Sequence, residues 1–271
     1  MKELLSIKEF SKFSGIETGT LRYWDNIGLF SPAKRDPENN YRYYSPQQLI
    51  AINFINVMSS LQISLKKISG TQGRRNPDDV AALIEKQERL LDVEMQRLRE
   101  CYSIIHTRLK LIRLGSRASL QDISVSHFDE RRIVLGDINV FPENGSFYDP
   151  FMRFCKRADE FRINLNYPIG GMYDNMDAFL AAPAQPTRFF SADPTGNVKL
   201  ETGDYLVGYV RGYYGKLDDL AKRMADYAET NDLELSGPMY VLYLHDEICM
   251  KNPADYLACA TIAVARKKTG Y

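Results

Sequence analysis

Thr18, Thr20, Arg22 and Tyr23 stand close together in TGTLRYWDN. Arg22 can fork onto a guanine edge or clamp a phosphate, and the hydroxyls of the other three add donors. Further on, Tyr41-Arg42-Tyr43 sets a cation between two aromatic rings. That arrangement suits a sugar-phosphate surface, where a ring packs and its hydroxyl donates. Lys66, at the start of a short helix, offers one more phosphate contact. Each residue alone reads as solvated surface; together, on a basic segment, they point to double-stranded DNA. Residues 1–75 hold 11 Lys/Arg against 6 Asp/Glu, whereas 120–265 hold 13 against 22. A basic front and an acidic back imply two parts with different partners, although the whole chain of 271 residues balances 35 basic against 35 acidic side chains.

The acidic part is rich in tyrosine: 148, 167, 173, 205, 209, 213, 214, 227, 240, 243 and 256. Flat amphipathic rings lining a cleft suit planar or cationic small molecules through stacking and cation–π contact. About half of such rings simply fill a core with the hydroxyl at its edge. Tyr148, Tyr167, Tyr173 and Tyr240 are the ligand-binding candidates.

Other chemistries find little support. The histidines are His106, His127 and His245, and no Ser-His-Asp order with a nucleophile turn is visible. His245 beside Asp246 and Glu247 is the one cluster worth testing as a catalyst, and the end of a surface strand is its simpler reading. Four cysteines lie far apart, at 101, 155, 249 and 259, without a CxxC or Cys/His cluster, so no metal, disulfide framework or other cofactor is called for. No apolar run reaches the ~20 residues of a membrane span. MKELLSIKEF carries Glu3 and Glu9, unlike a signal peptide, so free thiols in the cytoplasm are expected.

The elements that must position these residues are legible. Ser6-x-x-Glu9 is a capping box, followed by Phe10 and Phe13, with Gly15 as the stop. A second helix runs from Thr18 to Gly28, completing a helix-turn-helix. SPAKRDPENNYRYYSP reads as a hairpin, or wing, with a basic and aromatic edge. Ser45-Pro46 begins a third helix and Ser64 a fourth. GTQGRRNP, residues 70–77, is a linker. Asn76-Pro77-Asp78-Asp79 then starts a helix free of Gly and Pro as far as Gly115, about 38 residues or roughly 57 Å. Val80, Leu83/Ile84, Leu90/Leu91, Leu98, Cys101, Ile105, Leu109 and Ile112 form a heptad seam that needs a partner, and a dimerising coiled coil is favoured over packing back on the same chain.

Beyond GSRASLQD the pattern becomes strand and helix, with an internal repeat. Ile133-Val134-Leu135-Gly136 resembles Tyr205-Leu206-Val207-Gly208, and Gly170-Gly171-Met172-Tyr173 resembles Gly237-Pro238-Met239-Tyr240. Each half carries a helix, near 147–162 and 216–231, and reads strand–helix–strand–strand. Two such units side by side give an α+β layer with a central cleft, across which Tyr173 and Tyr240 are expected to face each other.

The strings LLSIKEFSKFSGI, TLRYWDNIGLF and YRYYSPQQL make residues 4–70 resemble the winged-helix DNA-binding domain of MerR-type transcription regulators. That family often has a second tyrosine where this chain has Trp24, a packing variant. The resemblance implies that Arg22, Tyr23, Tyr41, Arg42, Tyr43 and Lys66 touch operator DNA. It also implies an antiparallel helical homodimer, and an operator inside an overlong promoter spacer read by RNA polymerase. The C-terminal part is similar to the GyrI-like ligand domain of BmrR-type multidrug sensors. Those sensors carry a glutamate on the final strand, and here Cys259 falls near its place; Glu247 and Glu201 are the candidate replacements. The organisation expected is therefore a DNA-binding domain at 1–75, a coiled-coil dimerisation helix at 76–115 and a GyrI-like domain at 116–271. The function expected is a transcription activator responding to a small aromatic or cationic molecule. Two alternatives stand beside it: a GyrI-like hydrolase fused to a DNA-binding domain, and a nucleoid or repressor protein whose C-terminal part binds another protein.

Overall fold

The computed structural model describes residues 4–71, 76–120, 122–142, 148–160, 162–217 and 219–266. The chain divides into two compact units, Met1–Leu98 and Arg99–Tyr271.

The first unit opens with β1 (Leu5–Ser6) and α1 (Ile7–Ser14). Ser6 and Glu9 close both halves of the capping box, and Gly15 stops α1 in the left-handed conformation at φ 74°. α2 (Thr18–Asn26) turns Leu21 and Trp24 inward. β2 (Lys34–Arg35) and β3 (Arg42–Tyr44) form the wing, and β3 also pairs with β1 in a three-stranded antiparallel sheet. Phe10, Phe30 and Tyr44 stack at the centre, with ring centroids 4.5 to 5.9 Å apart. α3 (Gln48–Ser60) begins two residues after Pro46. Ser45 is held by a reciprocal pair instead: its carbonyl accepts from Gln48 N–H at 3.0 Å and its N–H donates to the Gln48 side chain at 3.0 Å. α4 (Leu65–Thr71) follows, and residues 72–75 of the expected linker lie outside the described part.

α5 (Pro77–Gly115) is one helix of 39 residues. Asn76 Oδ1 accepts from Asp79 N–H at 2.7 Å, capping its start. Val80 and Leu83 pack onto the first core, but Leu90, Leu98 and Ile105 are 51%, 52% and 64% exposed. The seam is therefore uncovered within a single chain.

The second unit is an eight-stranded antiparallel sheet with helices between the strands. Its elements are β4 (Ser124–Phe128), β5 (Arg131–Ile138), α6 (Tyr148–Lys156), β6 (Ile169–Tyr173), α7 (Met176–Ala181), β7 (Arg188–Ser191), β8 (Val198–Leu200), β9 (Gly203–Arg211), α8 (Leu220–Thr230), β10 (Leu233–His245) and β11 (Leu257–Arg266). The strand order is β4-β9-β11-β10-β6-β7-β5-β8. β5-α6-β6-β7 and β9-α8-β10-β11 are the two repeats, joined through β6 and β10. β4, β8 and α7 are additions that the repeat did not announce. Both repeat helices are shorter than the sequence spacing implied; residues 147, 161 and 218 fall outside the described part.

The sheet has two packed faces. α8 and α7 lie on one, over Leu206, Met239, Val241 and Ala258. The last turns of α5 lie on the other, where Leu111 and Leu114 meet Val207, Leu244 and Cys259. The central register pairs Tyr173 with Met239 and Tyr240 with Met172. Tyr173 and Tyr240 therefore point to opposite faces and do not meet across a cleft. The two short strings are one residue out of step with the register, which sets Tyr173 opposite Met239 rather than Tyr240. A slip of one residue sends every side chain of a strand to the other face. Among the described residues no helix is long and apolar enough to cross a membrane, and no group of three or more His, Cys, Asp or Glu is placed to hold a metal ion.

Candidate functional site

In the first unit, the burial of Leu21 and Trp24 fixes which way α2 faces. Arg22 and Tyr23 stand outward, Tyr23 at 54% exposure, and Thr18 and Thr20 are half-buried at its N-terminal end. Lys66 is exposed on α4. On the wing, Tyr41 and Tyr43 tilt against each other with centroids 5.4 Å apart.

Arg42 is placed differently from its neighbours. Its Nε donates to Asp25 Oδ2 at 2.6 Å, and Arg35 Nη2 donates to the same oxygen at 2.6 Å. The Asp25 side chain is 1% exposed. One buried carboxylate thus ties both wing strands to the end of α2. Asp25 was not among the expected site residues; an acid on the inward side of α2, next to Trp24, was the available signal. Arg42 keeps part of its guanidinium outward, with Nη2 3.4 Å from Asn26 Oδ1. Arg22 and Tyr23 on α2 and the tyrosines of the wing offer a cation and hydroxyl donors, groups that can bind a polyanion.

In the second unit, a cavity of about 250 Å³ opens on the helix-bearing side of the sheet, over the junction of β6 and β10. Gly171 pairs with Val241 and forms part of its floor, so the middle of that floor has no side chain on β6. A Cβ built on Gly171 would come within 2.8 Å of Pro186 Cβ. Tyr148 and Phe151 approach from α6, Tyr167 and Tyr173 from the start and end of β6, and Tyr213 and Tyr214 from the connection between β9 and α8.

The rings are locked in place. Tyr173 OH donates to the Pro183 carbonyl, and Tyr243 OH donates to the Tyr213 carbonyl at 2.9 Å. Tyr214 meets Tyr243 edge-on at 4.6 Å between centroids, and Tyr256 at 5.6 Å. Burial pushes the Tyr173, Tyr214 and Tyr243 phenols well above their ordinary range. The Tyr214 hydroxyl also donates to the exposed Glu247 carboxylate at the cavity edge, which holds its proton more firmly still. Beside Glu247, Asp246 is buried and paired with Arg108 of α5, Nη1 to Oδ2 2.5 Å. The cavity is apolar and aromatic, with a carboxylate at its rim and one compensated ion pair in its wall.

The structure thus gathers Tyr148, Tyr167, Tyr173 and Glu247 around one cavity. Tyr240 and Cys259 stand on the opposite face, lining a second cavity described below. Glu201 is elsewhere, paired with Lys199 at 3.1 Å. Tyr213, Tyr214 and Tyr243, present in the tyrosine count but not singled out, also line this cavity. Arg108 gave no local signal, since its partner lies 138 positions away.

Residues 5–72 match the model of the MerR HTH family regulatory protein. Over 253 residues the chain is 24% identical to the multidrug-efflux transporter 2 regulator of Bacillus subtilis (strain 168), covering 92% of each. Over 171 residues it is 30% identical to the multidrug-efflux transporter 1 regulator of the same organism, covering 60% of each. The cryo-EM structure of an EcmrR–DNA complex in EcmrR-RPo aligns over 97% of this chain and 100% of that one, at 17% identity and a TM-score of 0.41. The chain carries, at residues 5–72, a helix-turn-helix module of the MerR family of regulatory proteins.

Proposed function

We propose that this regulator is a homodimeric activator in the cytoplasm that responds to a small aromatic cation held in the Tyr-lined cavity. Three parts divide the work: DNA reading at 1–75, dimerisation at 76–115 and ligand binding at 116–271. The observation that carries the reading is the rim of the cavity, where Glu247 accepts from Tyr214 above a box of tyrosine rings. Rings supply cation–π attraction to a desolvated cation, and the carboxylate supplies the counter-charge. The similarity to two multidrug-efflux transporter regulators supports the same class of ligand. The exposed apolar row of α5 supports a second copy as its cover.

On DNA, each protomer of the dimer sets α2 in a major groove, with Arg22, Tyr23 and Lys66 on bases and phosphates and the wing alongside. The operator lies in an overlong promoter spacer, and the ligand-bound dimer bends it so that RNA polymerase engages both promoter elements. A smooth bend costs on the order of 1–6 kcal/mol, which a ligand offsets only by preferring the bending conformation. Catalysis is not part of this reading. His245, the one candidate, is buried with Nε2 3.0 Å from the Ile112 carbonyl, a structural contact with α5.

The test uses tetraphenylphosphonium as the cation. Purified protein is footprinted on its tightest genomic site, with and without the cation, and transcription is measured in parallel. An altered cleavage pattern at the centre of a palindromic site, with a rise in transcription, is the expected result. Binding of the cation with neither change would overturn the activator reading.

A further inference from the structure

The second cavity, about 430 Å³, lies on the opposite face of the sheet, walled by the last turns of α5. Phe128, Phe190, Leu200, Leu242 and Leu244 give it an apolar lining. Its charge is opposite to that of the first cavity. Lys110, Arg131 and Arg132 face it against a single carboxylate, Glu130. That carboxylate is already engaged, with Lys199 at 3.0 Å and Arg132 at 3.6 Å.

Arg131 is the telling residue. Its guanidinium carbon sits 4.3 Å over the Phe128 ring and 5.0 Å over the Tyr205 ring. Its Nε and Nη2 are shut off from solvent and have no hydrogen-bond partner among the described residues. A buried cationic donor with bonds unmade is costly, and an anionic acceptor removes that cost. No neighbour in the wall supplies one. Cys259 is held as a neutral thiol, burial pushing it up to about 12, and burial likewise raises Tyr240.

We infer that this cavity is a second effector site, for an organic anion with an apolar body. A carboxylate or sulfonate head sits on Arg131 with Lys110 nearby, and an aromatic or alkyl body lies along Phe128, Phe190 and Leu242. The site is separate from the cation cavity. Along β10, Tyr240 and Leu242 serve one cavity, while Val241 and Tyr243 serve the other.

The anion used in the test is 8-anilinonaphthalene-1-sulfonate, followed by fluorescence on the full-length protein with tetraphenylphosphonium present at saturation to fill the first cavity. Saturable binding of one anion per chain is expected. Arg131→Gln should weaken it at least tenfold, Arg131→Lys should recover part of the loss, and the affinity for tetraphenylphosphonium should stay within twofold in both. If Arg131→Gln does not fold, Lys110→Glu on the exposed side of α5 carries the test, with at least fivefold weaker anion binding expected. Equal anion affinity in these variants, or displacement of the anion by tetraphenylphosphonium, would overturn the inference.

Discussion

Arg108, on α5, places its Nη1 2.5 Å from a carboxylate oxygen of Asp246, at the end of β10. The residue before Asp246 also holds the helix: His245 reaches the Ile112 carbonyl, and Gly115 leaves room for its ring, since a Cβ there would come 2.7 Å from His245 Nε2. The residue after it, Glu247, stands at the cavity rim. Three consecutive residues therefore join the cavity rim to α5. Asp246→Asn should separate binding from response. Tetraphenylphosphonium affinity should fall less than threefold, while ligand-dependent transcription is lost. Removing one partner of this largely buried pair should cost about 2–4 kcal/mol in urea unfolding. A variant that still activates normally would show that the signal leaves the cavity by another route.

Asp25 predicts a contrast in the DNA-binding unit. Asp25→Asn leaves Arg35 and Arg42 without their shared carboxylate and frees the wing from α2. Melting temperature and operator affinity should fall together. Arg22→Ala touches no such contact: its melting temperature should hold, while operator affinity drops by about 1–3 kcal/mol and the slope of log K against log salt shrinks. Anisotropy titrations at several salt concentrations, beside thermal melts, separate the two behaviours. If Asp25→Asn melts like the wild type, the wing is anchored elsewhere.

How much of this was legible depended on distance along the chain. Caps, the wing and the long helix came from neighbours within a few residues, such as Ser6 with Glu9 and Asn76 with Asp79. The repeat also came through, with two strand–helix–strand–strand halves in order. What failed was parity. Tyr173 and Tyr240 match by string but not by face, because Tyr173 pairs with Met239 and the next residue along β10 projects the other way. Asp25 with Arg42, and Arg108 with Asp246, join residues 17 and 138 positions apart, where sequence spacing carries no geometric information.

Gly171 offers a direct measure of the cavity. Gly171→Val places methyl groups in the space over β6 and presses on Pro186. Tetraphenylphosphonium affinity should fall at least tenfold by calorimetry, with operator affinity unchanged. Retained cation binding would move the ligand away from this floor.

Cys259 gives a test by pH and labelling. Its thiol is buried and pushed up to about 12, whereas an unfolded thiol ionises near about 8.5. The fold favours the neutral form, so this contribution to stability is fully present below the unfolded value and is lost as pH rises towards 12. Iodoacetamide at pH 8 should alkylate exposed Cys249 and leave Cys259 untouched until denaturant is added, read by peptide mass. Rapid modification of Cys259 in the native protein would show that its cavity opens.

β10 alternates between two compartments: Val241 and Tyr243 line one cavity, and Tyr240, Leu242 and Leu244 line the other. Neighbouring letters in the gene are thus written to different addresses. Point substitutions can retune one chamber while leaving the other unread, so two chemical preferences can drift independently within a dozen codons. A single inserted or deleted codon has the opposite effect, exchanging the two vocabularies at once, and that strand should tolerate replacement far better than any change of length.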